Sequence, residues 1–200
     1  MSSQIKLTYF DSPGRAELTR LAFVMAGIAF EDERVKHEDF APVKPTLPLG
    51  QVPVLTVDGV VYPQSMAMAR YVGRLGGLYP TDPMEALKVD VVLETLLEAV
   101  TAYAEIHFRT TDEEIKKEKT EHAFEFVFPK IFRLVESSVH GDFVLGTMAS
   151  LADLYIFVMV KKIMEVRFPE FDMSPYPKMK AIAEAIKTTP RIATYLASLA

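Results

Sequence analysis

The chain has 200 residues, of which 50% are hydrophobic and 24% charged, with no cysteine and a formal net charge of −5. That mild acidity argues against a nucleic-acid or anionic-membrane partner, and no apolar run reaches the ~18 residues of a membrane span. Without thiols, disulfides, thiolate metal sites and a cysteine nucleophile are excluded.

Met1-Ser2-Ser3-Gln4 leads straight into a strand pattern, so no signal peptide is expected. Ile5 to Phe10 alternates apolar and polar residues, the period of a half-buried strand. Ser12-Pro13-Gly14 breaks it. A helix is expected from Arg15 to Ala26, with Leu18, Leu21, Ala22 and Met25 on one face and Gly27 in the stop position. Phe30 to Lys36 reads as a second strand, and His37 to Leu47, interrupted by Pro42 and Pro45, as a loop with a turn of helix. Val54 to Val57 and Val60 to Tyr62 form a hairpin about Asp58-Gly59, a strong two-residue turn. Ser65 is placed to be the N-cap of a helix running to about Leu75 through Met66, Ala69 and Val72. The order β-α-β-α-β-β-α fits a small sheet covered by helices.

From Gly76 to Pro83 the pattern changes, and it stays helical thereafter. Residues 1–78 are therefore expected to form one domain, 79–83 a linker and 84–200 an all-helical domain. Asp82-Pro83-Met84-Glu85 combines an N-cap, proline at the first helical position and an acidic third residue, opening a long helix to about Phe108. Thr111-x-x-Glu114 starts another, which Pro129 is expected to kink rather than end. Gly141 to Gly146 is turn-rich. Ser150-Leu151-Ala152-Asp153 is a capping box before an apolar helix to about Val166, and shorter helices follow at Tyr176–Lys187 and Pro190–Leu199, the last capped by Thr189.

Two short stretches carry chemistry. Gln51-Val52-Pro53 puts proline at a strand entry, where its missing N–H costs least. A cis Val52–Pro53 bond would turn the Val52 backbone outward with its N–H and C=O unpaired. Such an edge holds an extended peptide by main-chain pairing. A hairpin later, Gln64-Ser65 opens a helix whose free N–H groups attract an anion. A peptide-pairing edge beside a carboxylate site describes a receptor for a small acidic peptide.

Leu7-Thr8-Tyr9-Phe10 with Gly14-Arg15-Ala16-Glu17, Gly50 to Leu55, Gln64-Ser65-x-Ala67-x-Ala69-Arg70-Tyr71 and Ser150 to Asp153 stand in one order along the chain. Together they resemble the cytosolic glutathione transferases over its whole length, and the first two resemble the sigma class, the group of prostaglandin D synthase and the S-crystallins. That resemblance implies a thioredoxin-like N-terminal domain followed by an all-helical one, with glutathione as co-substrate and no metal required. It also implies a cytoplasmic homodimer. A free thiol is mostly protonated at neutral pH, its pKa being ~8.5. Tyr9 is similar to the class tyrosine that donates a hydrogen bond to the sulfur and so favours thiolate, with Arg15 adding positive charge. By the same resemblance Val52 pairs with the cysteinyl backbone beside Pro53, Gln64 and Ser65 hold the γ-glutamyl carboxylate, Lys44 meets the glycyl carboxylate, and Phe40 packs where the class usually has tryptophan. Gln51 stands where lysine is common in mammalian relatives. Glu98 matches an acidic residue that reaches the partner subunit's glutathione, and Phe10, Val100, Tyr103, Tyr155 and Met159 are candidate walls for a small hydrophobic electrophile.

The readings that remain are a transferase, with glutathione-dependent isomerase or peroxidase activity beside it, and a catalytically weak S-crystallin-like structural or ligand-carrier protein. Intact Tyr9, Arg15, Gln64 and Ser65 favour the enzyme. His37, His107, His122 and His140 lack metal-ligand spacing. The run Glu113 to Lys119 reads as a solvated helical face with i,i+4 pairs such as Glu113 with Lys117.

Overall fold

The computed structural model describes residues 4–199. It divides into two compact units: one runs to Tyr79 and resumes at Thr189, and the other spans Pro80–Thr188. The first contains β1 (Ile5–Phe10), a 3-10 turn (Gly14–Ala16), α1 (Glu17–Ala26), β2 (Glu31–Val35), α2 (Phe40–Val43), β3 (Val54–Val57), β4 (Val60–Pro63) and α3 (Ser65–Leu75). The second contains α4 (Pro83–Ala104), α5 (Glu113–His122), α6 (Phe128–Ser137), α7 (Leu151–Phe157), α8 (Glu165–Arg167) and α9 (Pro177–Thr188). The last helix, α10 (Pro190–Ser198), belongs with the first unit, so the compact units depart from a simple division between residues 78 and 84.

Strand order in the sheet is β2-β1-β3-β4, with β1 and β2 parallel and the other neighbours antiparallel. The order of elements along the chain, β-α-β-α-β-β-α, is that of the thioredoxin-like domain which the resemblance implies. Because β1 is an inner strand, both its faces are covered: Leu7, Thr8 and Tyr9 are all buried, where the alternating pattern predicts a half-exposed strand. The Thr8 hydroxyl is satisfied by Glu33 of β2 at 2.6 Å. This bond, with Lys6 behind it, holds the Glu33 carboxyl below its ordinary range. Leu7, Leu21, Phe23 and Val72 close the core between sheet and helices. Helix α1 stops at Gly27, whose φ of 68° is open to glycine at no steric cost. The Arg191 guanidinium lies where a Cβ at 27 would point, and its Nη1 donates to the Met25 carbonyl at 3.0 Å. This tie fastens α10 to α1.

In the second unit the caps decide where helices begin. Asp82 accepts from the backbone N–H groups of Met84 and Glu85 at 3.0 and 2.9 Å. Asp112, rather than Thr111, caps α5, accepting from Glu114 and Ile115 at 2.9 and 3.0 Å. Where a kink at Pro129 is expected, a π-helical turn (Ala123–Val127) precedes the proline and runs directly into α6, which has Pro129 in its first turn. Similar turns extend α4 to Arg109 and join α7 to α8. The Asp153 carboxylate, fully buried, accepts from Ser150 N–H and Oγ and from Val144 N–H at 2.8 to 2.9 Å. Burial pushes its pKa up against those hydrogen bonds. Glu136 of α6 caps α9 from a distance, accepting from Lys178 and Met179 at 2.8 and 3.0 Å. Phe128 and Phe132 stack 5.7 Å apart, and Phe168, Phe171 and Tyr176 meet them edge-on or tilted, building the aromatic centre of the unit. On the charged face Glu113 pairs with Lys116 at 3.4 Å and Lys117 with Glu121 at 3.9 Å, instead of Glu113 with Lys117. Among the described residues no helix is long and apolar enough to cross a membrane.

Candidate active site

Ladder register brings the scattered motifs of the first unit to one end of its sheet. Phe10, the last residue of β1, lies opposite Val35, the last of β2, and Thr8 lies opposite Val54, the first of β3. Val54 in turn faces Pro63, the last of β4. Tyr9 and Phe10, the cis Val52–Pro53 peptide, Gln64-Ser65 and the segment after β2 therefore all leave the sheet at the same end.

Tyr9 is 9% exposed, and its hydroxyl accepts a hydrogen bond from the Arg15 backbone N–H at 3.2 Å. Gly14, with φ of 41°, brings the turn against the phenol so closely that a Cβ there would collide with the hydroxyl oxygen. With its oxygen engaged in this way, the hydroxyl keeps its own proton for a second partner. Arg15 itself is half-buried at the start of the 3-10 turn.

The turn is held from below by Arg20, which sequence reasoning did not single out. Its side chain is 0% exposed. It donates to the Ser12 and Phe10 carbonyls at 2.7 and 3.2 Å and to Asp32 at 3.0 Å, and pairs with Glu17 at 3.4 Å. Arg34 continues the chain of charges, meeting Asp32 at 2.9 Å and Asp11 at 2.8 Å. The Arg34 hydrogen bond holds the Asp11 carboxyl below its usual range. The Arg20 guanidinium also lies 5.7 Å from the centre of the Tyr9 ring. Tyr195 of α10 is half-buried near the same charges, with its hydroxyl shielded from solvent and its pKa pushed up to about 12 by burial first and Glu17 second. The signal in the sequence was Glu17-x-x-Arg20, an acid and a base one turn apart on the face that Leu18 and Leu21 mark as buried.

Gln64, not Ser65, occupies the cap position of α3, correcting the expected N-cap; Ser65 is the first helical residue. Gln64 has φ of 81°, a conformation costing a residue with a side chain about 1–3 kcal/mol, which persists where the surroundings impose it and which clusters at ligand sites. Ser65 is half-buried and Gln64 exposed, with the N–H groups of the first turn of α3 beside them. Phe40 is half-buried, while Lys44 and Gln51 are exposed. In the second unit Glu98 is exposed on α4, and Val100 and Tyr103 of that helix, Tyr155 of α7 and Met159 are buried. No group of three or more metal-ligating side chains gathers among the described residues.

Residues 5–74 match the family model for the glutathione S-transferase N-terminal domain, and residues 98–199 that for the C-terminal domain. The chain is 34% identical to glutathione S-transferase 1 of Ascaris suum, over 97% of this chain and 96% of the relative. It is 31% identical to hematopoietic prostaglandin D synthase of Gallus gallus, over 96% and 94%. Among solved structures it superposes with a TM-score of 0.85 on a monomeric glutathione S-transferase, Na-GST-3, of Necator americanus, at 27% identity over 98% and 97% of the two chains.

Proposed function

Because the chain belongs to the glutathione S-transferase family, we propose that it binds glutathione at the end of the sheet and uses Tyr9 to present the sulfur as thiolate to small hydrophobic electrophiles. The observation that carries this reading is the hydrogen bond from Arg15 N–H into the Tyr9 hydroxyl. A phenol oxygen that already accepts a bond is a stronger donor through its own proton. Aimed at sulfur, that donor prefers the charged form and lowers the thiol pKa. The thiol proton then leaves to solvent, the thiolate forms the new C–S bond, and the leaving group departs with its electron pair.

The remaining residues suit the rest of the tripeptide. The Val52 backbone stands just ahead of the β3 ladder, which begins at Val54, a position that suits pairing with the cysteinyl backbone. Gln64 and Ser65 at the start of α3 suit the γ-glutamyl carboxylate. Lys44, exposed, supplies charge for the glycyl end, and Phe40, Gln51 and Pro53 belong to the same reading. Substitution of Tyr9 by Phe tests the reading. Steady-state conjugation of glutathione to an aryl halide should fall roughly 10- to 100-fold, the loss of one charge-assisted hydrogen bond of ~1.5–3 kcal/mol. An equally active variant would remove Tyr9 from the mechanism.

Finer features of the reading are a sigma-class, cytoplasmic detoxifying enzyme that works as a homodimer, with Glu98 reaching the partner's glutathione. In support, each unit carries exposed apolar side chains: Tyr62 and Tyr71 lining a groove of about 360 Å³ in the first, with Val60 exposed on the same strand as Tyr62, and Met84, Leu87 and Val91 on α4 in the second. By resemblance the reading also gives Val100, Tyr103, Tyr155 and Met159 to a hydrophobic second substrate, although all four are buried in the core of the second unit. Sedimentation at assay concentration should give a dimer; a fully active monomer would rule out shared sites.

A further inference from the structure

Between β2 and β3 the chain makes only short helical turns, from His37 to Thr46, and buries none of their residues. Among the described residues its hydrogen bonds are local. Asp39 N–H reaches Lys36, Leu47 N–H reaches Lys44, Gly50 N–H reaches Leu47, and the Thr46 hydroxyl reaches Val43. Lys36 and Glu38 pair at 3.8 Å, again within the segment and in solvent. None of these bonds ties the segment to the sheet.

Aromatic rings do. The His37 imidazole lies 3.9 Å from the Phe10 ring and within 18° of parallel to it. Phe40 meets the same ring edge-on at 5.0 Å. Phe10 in turn follows Tyr9 in β1, their rings 5.5 Å apart. Two rings of one segment thus grip a single ring at the end of the strand that carries the tyrosine.

We propose that His37 is a positioning residue for glutathione. Stacked on Phe10, it clamps the segment bearing Phe40 and Lys44 against the sheet before the ligand arrives. The inference rests on the functional reading above, in which those two side chains meet the peptide. A segment already held in its binding geometry loses less freedom when the ligand binds, so the clamp acts on affinity. It leaves the hydrogen bond between Arg15 and Tyr9 alone, and so leaves the chemistry of the sulfur alone.

The test compares His37→Ala and His37→Gln, which remove the ring, with His37→Phe, which restores it. The first two should raise KM for glutathione roughly 3- to 10-fold, the scale of one lost aromatic pair, with kcat within about twofold of wild type. His37→Phe should return KM to the wild-type value. In the ligand-free protein, amide exchange across residues 38–47 should quicken in the ring-less variants and slow again in His37→Phe. Unchanged KM and unchanged exchange in His37→Ala would overturn the proposal, as would equal losses in all three variants. A wild-type protein that binds no glutathione would overturn the reading of the site and the role assigned to His37, while the exchange rates would still report on the clamp by themselves.

Discussion

In the first unit the segment that carries Tyr9 and Arg15 is fixed by charge, whereas in the second the helices are joined by apolar side chains and begun by carboxylate caps. Arg20, wholly buried, gathers two backbone carbonyls and two carboxylates beneath the turn. In the second unit the long helices meet through Phe128, Phe132, Leu93 and Leu96, all of them shielded from solvent. Its buried carboxylate, Asp153, binds N–H and O–H groups and, among the described residues, no cation. A buried ionic cluster adds little net stability over well-packed apolar groups, but it fixes geometry through directional bonds. The difference therefore assigns precision to the first unit and bulk stability to the second.

The largest way to break that comparison is at Arg20. Substitution by Met removes the buried cation that Glu17 and Asp32 share, leaving Asp32 with Arg34, and should cost roughly 3–5 kcal/mol in denaturant unfolding. Adding Glu17→Gln should recover part of the loss, because the two positions share one network. In the fraction that folds, kcat should fall as well, since the turn bearing Arg15 loses its support. Full activity in a folded Arg20→Met protein would show that the cluster is structural alone.

The counterpart in the second unit is Asp153. Asp153→Ala strands the N–H groups of Val144 and Ser150 and should destabilise by about 3 kcal/mol, at ~1–3 kcal/mol for each buried donor left unpaired. Activity per folded molecule should stay at the wild-type level. A change in the pH–rate profile of this variant would join the two units in a way that the comparison does not allow.

A smaller effect follows from His107, whose Nδ1 is buried without a partner beside Tyr103 and Phe168. Burial, with Lys116 and Arg167 adding to it, holds its pKa below the ordinary 6.5. The folded state then takes up this proton less readily than the unfolded chain. The stability is complete above about pH 6.5 and declines as the pH falls towards the depressed value. Melting temperature should drop between pH 7 and 5, and His107→Phe should flatten that slope. An equal slope in both proteins would remove His107 as its source.

Elements with strong local signals were legible in the sequence. The Asp58-Gly59 hairpin, the Asp82-Pro83 helix start and the capping box at Ser150 were each read from a few neighbouring residues and recur in the fold. What escaped depends on contacts distant along the chain. Gln64 takes the cap position from Ser65 by adopting positive φ, which nothing in its side chain announces. Glu136 caps a helix that begins 41 residues later, and α10 returns to α1 through Arg191. The role of Arg20 depends on Asp32, which comes from β2. The same holds at the site: Tyr9 and Gly14-Arg15 were visible as a motif, but the hydrogen bond between them and the stack of His37 on Phe10 were not.

The most direct measurement is a spectroscopic titration of the glutathione thiol bound to the wild-type protein and to Tyr9→Phe. The account predicts that the bound thiol ionises at least about one pH unit below the ~8.5 of a free thiol in the wild type, and returns towards that value when the hydroxyl is removed. A bound thiol with the same depressed pKa in both proteins would contradict it, because the thiolate would then be held by some group other than Tyr9.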